Sequence, residues 1–548
     1  MNVLTLTIDF FKTKIPTLIS YTVLNLAYPI NNIGIPHYYG KLIEDMLQNR
    51  SVRDTFIITL MLWIFYIFGL YELSQIDIKL IPDFRAYLYK HIAKYIFEIH
   101  KENYTALQIG EIISKLSKLP YLILEIFYQV RNSYLPLIYM TFFSTIYFFW
   151  INVKLGFLVL MVILVFFTLA YISYDKCMDS CVISESMSDK SNEDLQDVLE
   201  NILNVFTADN IEGEMKSFDM ESDKLSGQFR KCIKCSSGFK GKSSILYIIA
   251  FVSIGTFSYY LYKNKQIELS HFNSSMLVTI YLLSQIDGTM QYSQDTMTYI
   301  GSIIDIQRYI DRLNKSYVSS NLKKEKINSE VPETLEENVT GNIEFRDITM
   351  CNGDNCIMKN FSYSIPAGEK VAVIGSIGTG KSTLLKLLLK LIYPTSGIVL
   401  FDGKNLPYNT IRKFTSYIPQ TPILFNRTLY KNIIYGTDKS KEDVYDIMKK
   451  YNITGAFGSH TLDSDVGKGG NNLSGGQRQM VILLRAILRE PKIILLDEAT
   501  SAMDIDTKNI IMKIIFEVFK KETVIMITHD PDIIKKFPTV LNLDKMKI

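Results

Sequence analysis

The chain has 548 residues, enough for at least two domains with full cores. Its formal net charge of +3 supplies no basic field of the kind a nucleic acid would need. Apolar residues make up 48% of the chain, and their charge-free runs crowd the N-terminal half, which excludes a uniformly water-soluble protein. Six cysteines are few for this length, and all lie outside the segments placed below on the far side of a membrane. That fits a reducing compartment and argues against a disulfide framework. The start, MNVLTLTIDFFKTK, lacks a basic region leading into an apolar core, so no cleavable signal peptide is expected.

A bilayer core of about 30 Å takes roughly 20 helical residues. Six stretches qualify. The first lies between Lys14 and Lys41, and the second is TFIITLMLWIFYIFGLY after Asp54. The third is SYLPLIYMTFFSTIYFFWIN, near 133–152, and the fourth LGFLVLMVILVFFTLAYISY, 155–174. The fifth is SSILYIIAFVSIGTFSYYLY, 243–262, and the sixth starts near His271 with NSSMLVTIYLLSQ. Buried helices of a soluble core would keep a polar stripe, whereas the third and fourth stretches are apolar on almost every face. Tyr147, Trp150, Tyr259, Tyr260 and Tyr262 sit near helix ends, as interfacial aromatics do.

Two long stretches, Glu72 to Asn132 and Asp175 to Lys242, read as helical hairpins and hold most of the Lys and Arg of this half. The positive-inside rule places them in the cytoplasm. The second contains Cys177-x3-Cys181 and Cys232-x2-Cys235, about equally far from a tip near Thr207. On antiparallel helices the four thiols could share one level and bind Zn²⁺ or Cu⁺. Small buried hydrophobes on paired helices are the plainer reading. On the sixth stretch Ser284, Asp287, Gly288, Gln291 and Asp295 recur at helical spacing as one polar face. Asp287, Gln291 and Asp295 are therefore candidate cargo-path residues, for cationic or amphipathic cargo, against the alternative of a merely wetted wall. Residues 1–313 thus read as an α-helical transmembrane domain, and the polar segment 314–341 as a linker.

Residues 342–548 change to short β-rich runs alternating with helices, an α/β pattern. KVAVIG, 370–375, is a buried strand, GSIGTGKST follows at once, and LLKLLLKLIY is helical. Strand, glycine loop and helix form the context of a P-loop. Gly375, Ser376, Gly378, Thr379, Gly380, Lys381, Ser382 and Thr383 would then cradle phosphates, with Lys381 on the outer phosphates and Ser382 on Mg²⁺. KIILLDEAT, 492–500, is an apolar strand ending in Asp497, which can hold Mg²⁺, and Glu498, which can polarise a water. LSGGQRQ, 473–479, opens an apolar-periodic helix, so Ser474, Gly475, Gly476 and Gln477 form a second candidate anion site. Singly each motif has a bland reading as a turn or a strand cap; their joint order does not.

Together these residues resemble the ATP-binding cassette (ABC) family, and the six-helix front half resembles its exporter branch of fused half-transporters. The resemblance covers nearly the whole chain. It implies an ABC ATPase with a β-subdomain and a helical subdomain, using ATP and Mg²⁺. GSIGTGKS looks like Walker A, ILLDE like Walker B, and LSGGQ is the family's signature loop. Gln420 in YIPQTPILF resembles the Q-loop glutamine, a further Mg²⁺ contact. Asp504 in SAMD resembles the D-loop aspartate, and His529 in VIMITHD the switch histidine. The resemblance implies a second copy as partner, with each ATP held between Walker A of one chain and LSGGQ of the other. It also implies a multi-pass membrane protein in contact with lipid, its cassette cytoplasmic, exporting a small-molecule, lipid or peptide cargo. An ATP-gated channel or regulator, and an obligate heterodimer, are the alternatives. Coupling segments are expected near Asn103 to Ile109 and Phe206 to Ile211.

Three departures stand out. Asn352 falls where the family stacks adenine on an aromatic ring, and no Tyr or Phe lies between Thr349 and Lys359. Lys468 stands where a glutamate is common. The chain stops soon after His529, so C-terminal regulation is not expected.

Overall fold

A computed structural model describes residues 2–101, 112, 115–334, 336, 338–352, 355–499 and 505–546. Two compact units emerge, one of residues 1–98 and 107–314, the other of 99–106 and 315–548.

The first unit is helical. It begins with α1 (Val3–Lys12), α2 (Ile15–Leu24), α3 (Ala27–Pro29), α4 (Ile35–Leu47) and α5 (Arg53–His100). Then come α6 (Leu119–Gln129), α7 (Leu135–Ile151), α8 (Val153–Glu200), α9 (Ile202–Thr207), α10 (Ile211–Lys263) and α11 (Leu269–Glu330). Among the described residues four continuous helical stretches are long and apolar enough to cross a membrane: Arg53–His100, Leu119–Ile151, Val153–Glu200 and Ile211–Lys263. They carry the second to fifth expected crossings. The first and sixth are also helical, but neither meets that standard of length and apolarity. Pro16, Pro29 and Pro36 punctuate the first, while serines and glutamine dilute the sixth.

The prolines leave a recognisable trace. Wide π turns at Ile30–Gly34 and Val130–Tyr134 run directly into helices with proline at their second position, Pro36 and Pro136. A proline ring crowds the carbonyl four residues earlier and donates nothing to it, so the ladder widens there by one residue.

Trp63, Phe65 and Phe68 on α5, Phe157 and Leu164 on α8, and Ile245 and Ile248 on α10 are exposed. Such an apolar exterior suits lipid, because the helices satisfy their own backbone. Inside, Phe84, Leu88, Leu119 and Ile306 form one core and Met140, Phe148, Leu155 and Ile254 another.

The expected linker is corrected in part: α11 is unbroken to Glu330. Residues 314–330 contain no Gly or Pro to break a helix, and extending an existing helix needs no new nucleation.

The cysteine reading is corrected too. The structure joins Cys177 to Cys235, Cys181 to Cys232 and Cys351 to Cys356, leaving no free thiol. α8 and α10 run antiparallel, which brings their cysteines face to face at Cα separations of 5.7 and 5.0 Å, within disulfide reach. Cys351 and Cys356 are direct cross-strand partners in a hairpin.

The second unit holds two sheets. β1 (Ile343–Asn352), β2 (Asn355–Ile365) and β4 (Ser396–Phe401) form an antiparallel sheet in the order β2-β1-β4. β3 (Lys370–Ile374), β5 (Thr415–Ile418), β6 (Ile493–Asp497), β7 (Thr523–Ile527) and β8 (Thr539–Asn542) form a parallel sheet in the order β5-β6-β7-β3-β8. Central strands of a parallel sheet are covered on both faces, so VAV, IILL and TVIMI are buried without alternation. The helices include α12 (Lys381–Leu388), α13 (Tyr408–Phe414), α14 (Leu429–Ile433), α15 (Lys441–Lys450) and α16 (Gly475–Leu488).

Asn405, only 1% exposed, fastens the end of α11 inside this unit. Its amide donates to Asn328 Oδ1 and the Val331 carbonyl, and its Oδ1 accepts from the buried Lys390 ammonium at 2.6 Å. Asn405→Ala removes all three bonds, and a cost of about 2–4 kcal/mol is expected. A clear fall in the thermal unfolding midpoint of the full chain checks this, against no change for the exposed Asn409→Ala.

Candidate nucleotide and hydrolysis site

The parallel sheet delivers the chemistry at the C-terminal ends of its strands. β3 ends at Ile374, the loop 375–380 turns, and α12 starts at Lys381. Gly378 and Gly380 have φ of +82° and +92°. At Gly380 a Cβ would lie 2.7 Å from an Ile357 methyl and 2.8 Å from the Met358 methyl, so only glycine fits. Lys381, largely buried, folds back over the loop and donates to the carbonyls of Gly375 at 2.7 Å and Ser376 at 2.9 Å. The Thr379 hydroxyl closes the same loop on the Ser376 carbonyl. Ser382 and Thr383 occupy the first turn of α12.

β6 ends at Asp497, two strands from β3 in the sheet. The Asp497 carboxylate takes hydrogen bonds from Ser382 and, at 3.3 Å, from Tyr417 on β5. Burial raises its pKa, the two hydroxyls pull it down, and neighbouring Glu498 raises it further. A cation at this place would reverse the burial penalty, so Ser382 and Asp497 are suited to hold Mg²⁺.

Glu498 follows with φ of +46°, its amide bonded to the Ile527 carbonyl at 3.0 Å. The left-handed backbone turns its side chain away from the strand direction. There Gln420 Nε2 donates to Glu498 Oε2 at 2.7 Å, and His529 Nε2 lies 3.5 Å from Glu498 Oε1. Gln420, Glu498 and His529 are thus gathered into one cluster from loops after β5, β6 and β7.

Two further residues serve this site and escaped the motif reading. Gln479 is 5% exposed and donates from Nε2 to the carbonyls of Pro419 and Gln420, at 2.9 and 2.8 Å. It braces the backbone that carries Gln420. The signal was a second glutamine in LSGGQRQ, on the buried side of an apolar helix. Tyr417 is the other, and nothing in the sequence marked it.

Ser474 caps α16 reciprocally with Gln477: Ser474 Oγ accepts from the Gln477 amide and Gln477 Oε1 from the Ser474 amide. Gly475 and Gly476 make its first turn. Among the described residues no hydrogen bond joins Ser474–Gln477 to residues 375–383. Arg485, farther along α16, is buried against the Asn432 carbonyl, and burial pushes its pKa down to about 10.

Asp504, the Asn352 side chain and the expected coupling segment 103–109 lie outside the described residues. Lys468 is exposed in the loop before α16. In the helical unit Ser284, Gln291 and Asp295 lie exposed along one side of α11, with Asp287 half-buried, and Gln291 donates to Asp287 at 3.3 Å.

Comparison with known proteins agrees with this geometry. Residues 358–501 match the family model for ABC transporters. ABC transporter B family member 14 of Arabidopsis thaliana is 36% identical over 223 residues, 39% of this chain and 17% of that protein. The human mitochondrial iron-sulfur clusters transporter ABCB7 is 35% identical over 198 residues, 35% of this chain and 26% of that protein. The matched region therefore spans about a quarter or less of these relatives. A bacterial Atm1-family ABC exporter, solved with ATP bound, superposes with a TM-score of 0.81 over 97% of this chain and 94% of its own, at 18% identity. The chain thus carries the ABC transporter domain and, over nearly its whole length, has the fold of an ABC exporter.

Proposed function

We propose that this chain is one half of an ATP-driven exporter, which works as a dimer of two copies and switches a membrane cavity between its two sides. The observation that carries the reading is Glu498, held by Gln420 and facing His529, at the strand ends beside the P-loop. ATP lies along residues 375–383, its phosphates on the backbone amides and Lys381. Ser382, Asp497 and Gln420 would hold Mg²⁺ through their side-chain oxygens, and the ion would supply positive charge to offset that of the phosphates. Glu498 accepts the proton of the water that attacks the terminal phosphorus, and His529 contacts the same phosphate.

A second copy completes the site. Among the described residues Ser474, Gly475, Gly476 and Gln477 make no hydrogen bond to their own P-loop, and the start of α16 is an anion-binding end ready for the partner's ATP. The tip of the α8–α10 hairpin supports the dimer. Leu203 and Phe206 on α9 are 70% and 57% exposed, an apolar tip that fits docking on a second copy and carries ATP-driven closure to the helices. Asp287, Gln291 and Asp295 then line the cargo path. The human relative is named for iron-sulfur clusters, and the likeness to it covers 35% of this chain.

Inside-out vesicles carrying the full chain are expected to accumulate cargo uphill when given ATP and Mg²⁺, and to lose this with Lys381→Ala. Flux that only runs down the gradient would favour the channel reading instead. Failure of the chain to hydrolyse ATP without another polypeptide would favour the heterodimer.

A further inference from the structure

Four of the six cysteines converge between α8 and α10. Cys177, Cys181 and Cys232 are each 1% exposed, and Cys235 is partly buried beside them. Met297 of α11, also 1% exposed, and Met178 complete the cluster, so six sulfur atoms from three helices share one apolar pocket. Cys177 and Cys181 are four residues apart on α8, and Cys232 and Cys235 three apart on α10, so each pair points to one side of its helix. The two cross-helix pairs therefore lie about one turn, roughly 6 Å, from each other.

We propose that this cluster, once reduced, is a tetrathiolate site for Zn²⁺, exchanging one Zn²⁺ for the two disulfides. As the structure stands, with two disulfides, no group of three or more His, Cys, Asp or Glu among the described residues could hold a metal. Reduction changes the ligand set. Two molecules of a dithiol reductant pass four electrons and four protons to the two disulfides, giving four thiols and two oxidised, cyclic reductants. Zn²⁺ then displaces the four thiol protons to solvent and binds four thiolates.

The geometry suits that ion. Tetrahedral Zn²⁺ with Zn–S of about 2.3 Å holds its sulfurs roughly 3.8 Å apart. Sulfurs of cysteines whose Cα atoms are 5.0 and 5.7 Å apart reach that spacing by side-chain rotation alone. Sulfurs one helical turn apart close the remaining distance in the same way. The tetrathiolate carries two net negative charges, and its sequence neighbours Lys176, Lys231 and Lys234, with Asp175 and Asp179, are exposed. The site clamps α8 to α10 below their apolar runs whether bridged by metal or by disulfides, and it has no part in the nucleotide chemistry.

The test uses the purified full chain in nanodiscs. After reduction with a dithiol under argon, Zn²⁺ is added, excess is removed by desalting, and bound metal is measured by mass spectrometry. One Zn²⁺ per chain is expected in the reduced protein and at least tenfold less in the oxidised one. Cys351→Ser/Cys356→Ser should keep the metal, and Cys181→Ser/Cys232→Ser should lose it. Should the latter fail to fold, wild type gives a second readout: compared with the reduced, metal-free protein, Zn²⁺ should slow alkylation of Cys177, Cys181, Cys232 and Cys235 and leave that of Cys351 and Cys356 unchanged. Co²⁺ in place of Zn²⁺ should give the intense visible absorption of a tetrathiolate. Equal metal in reduced and oxidised protein, alkylation of all six cysteines as fast with Zn²⁺ as without it, or uptake of Cu⁺ with no uptake of Zn²⁺ would each overturn the proposal.

Discussion

Glu498→Gln is expected to lower ATP hydrolysis by roughly 10²–10⁴-fold while leaving ATP binding intact, the range typical of a removed general base. The substitution is nearly isosteric. Gln420 loses a carboxylate acceptor and keeps an amide oxygen at the same place, so the cluster's shape survives. What disappears is the only group in the cluster able to accept a proton from water while fixed by two neighbours. ATP that binds and is not cleaved should hold two chains together. The expected result is therefore double: slow turnover, and a two-chain species with trapped nucleotide on size-exclusion chromatography. Hydrolysis within about threefold of wild type would remove Glu498 from the base's role. Slow turnover without any two-chain species would leave the chemistry standing and refute the shared site. Gln479→Ala offers a graded comparison, since it loosens the carbonyls of Pro419 and Gln420 and leaves the carboxylate untouched.

The parts of this site that could be read from sequence are those whose geometry is local. A glycine loop between a strand and a helix fixes its own shape, and the buried strands before Gly375 and Asp497 announce themselves by unbroken apolar runs. Parts that depend on contacts distant in sequence stayed hidden. Gln479 reaches back 59 residues to Gln420, and Tyr417 reaches 80 residues to Asp497. Cysteine spacing suggested that four thiols share a level, but which sulfur meets which is decided by the register of α8 on α10, and periodicity alone does not give it. Residues 314–330 read as a linker because they lack an apolar stripe. A helix that only prolongs α11 needs no stripe of its own to nucleate, so the absence was uninformative. Likewise, hydropathy saw the first crossing as one run, whereas its three prolines divide it into shorter helices and a π turn.

Asp77→Asn and Arg131→Gln are each expected to destabilise the helical unit strongly, and the double substitution to cost less than either alone. Asp77 lies on α5 after its apolar run, and Arg131 lies in the π turn that Pro136 forces at the start of α7. The widened turn presents Arg131 to α5, and its guanidinium meets Asp77 Oδ2 at 2.7 Å. Tyr21 of α2 ties both, accepting from Arg131 Nε at 2.8 Å and donating to Asp77 Oδ1 at 3.2 Å. The two charged side chains are only 20% and 17% exposed, so water screens them weakly. Removing one partner leaves the other charge uncompensated, at about 3–5 kcal/mol for a buried pair. Removing both charges leaves two amides that can still bond each other and the Tyr21 hydroxyl. Thermal unfolding of the four proteins in detergent, read as a double-mutant cycle, checks this. Additive losses would mean that the pair contributes no coupling. A single substitution as stable as wild type would mean that water already reaches both charges, and that the π turn at Val130–Tyr134 answers to Pro136 alone.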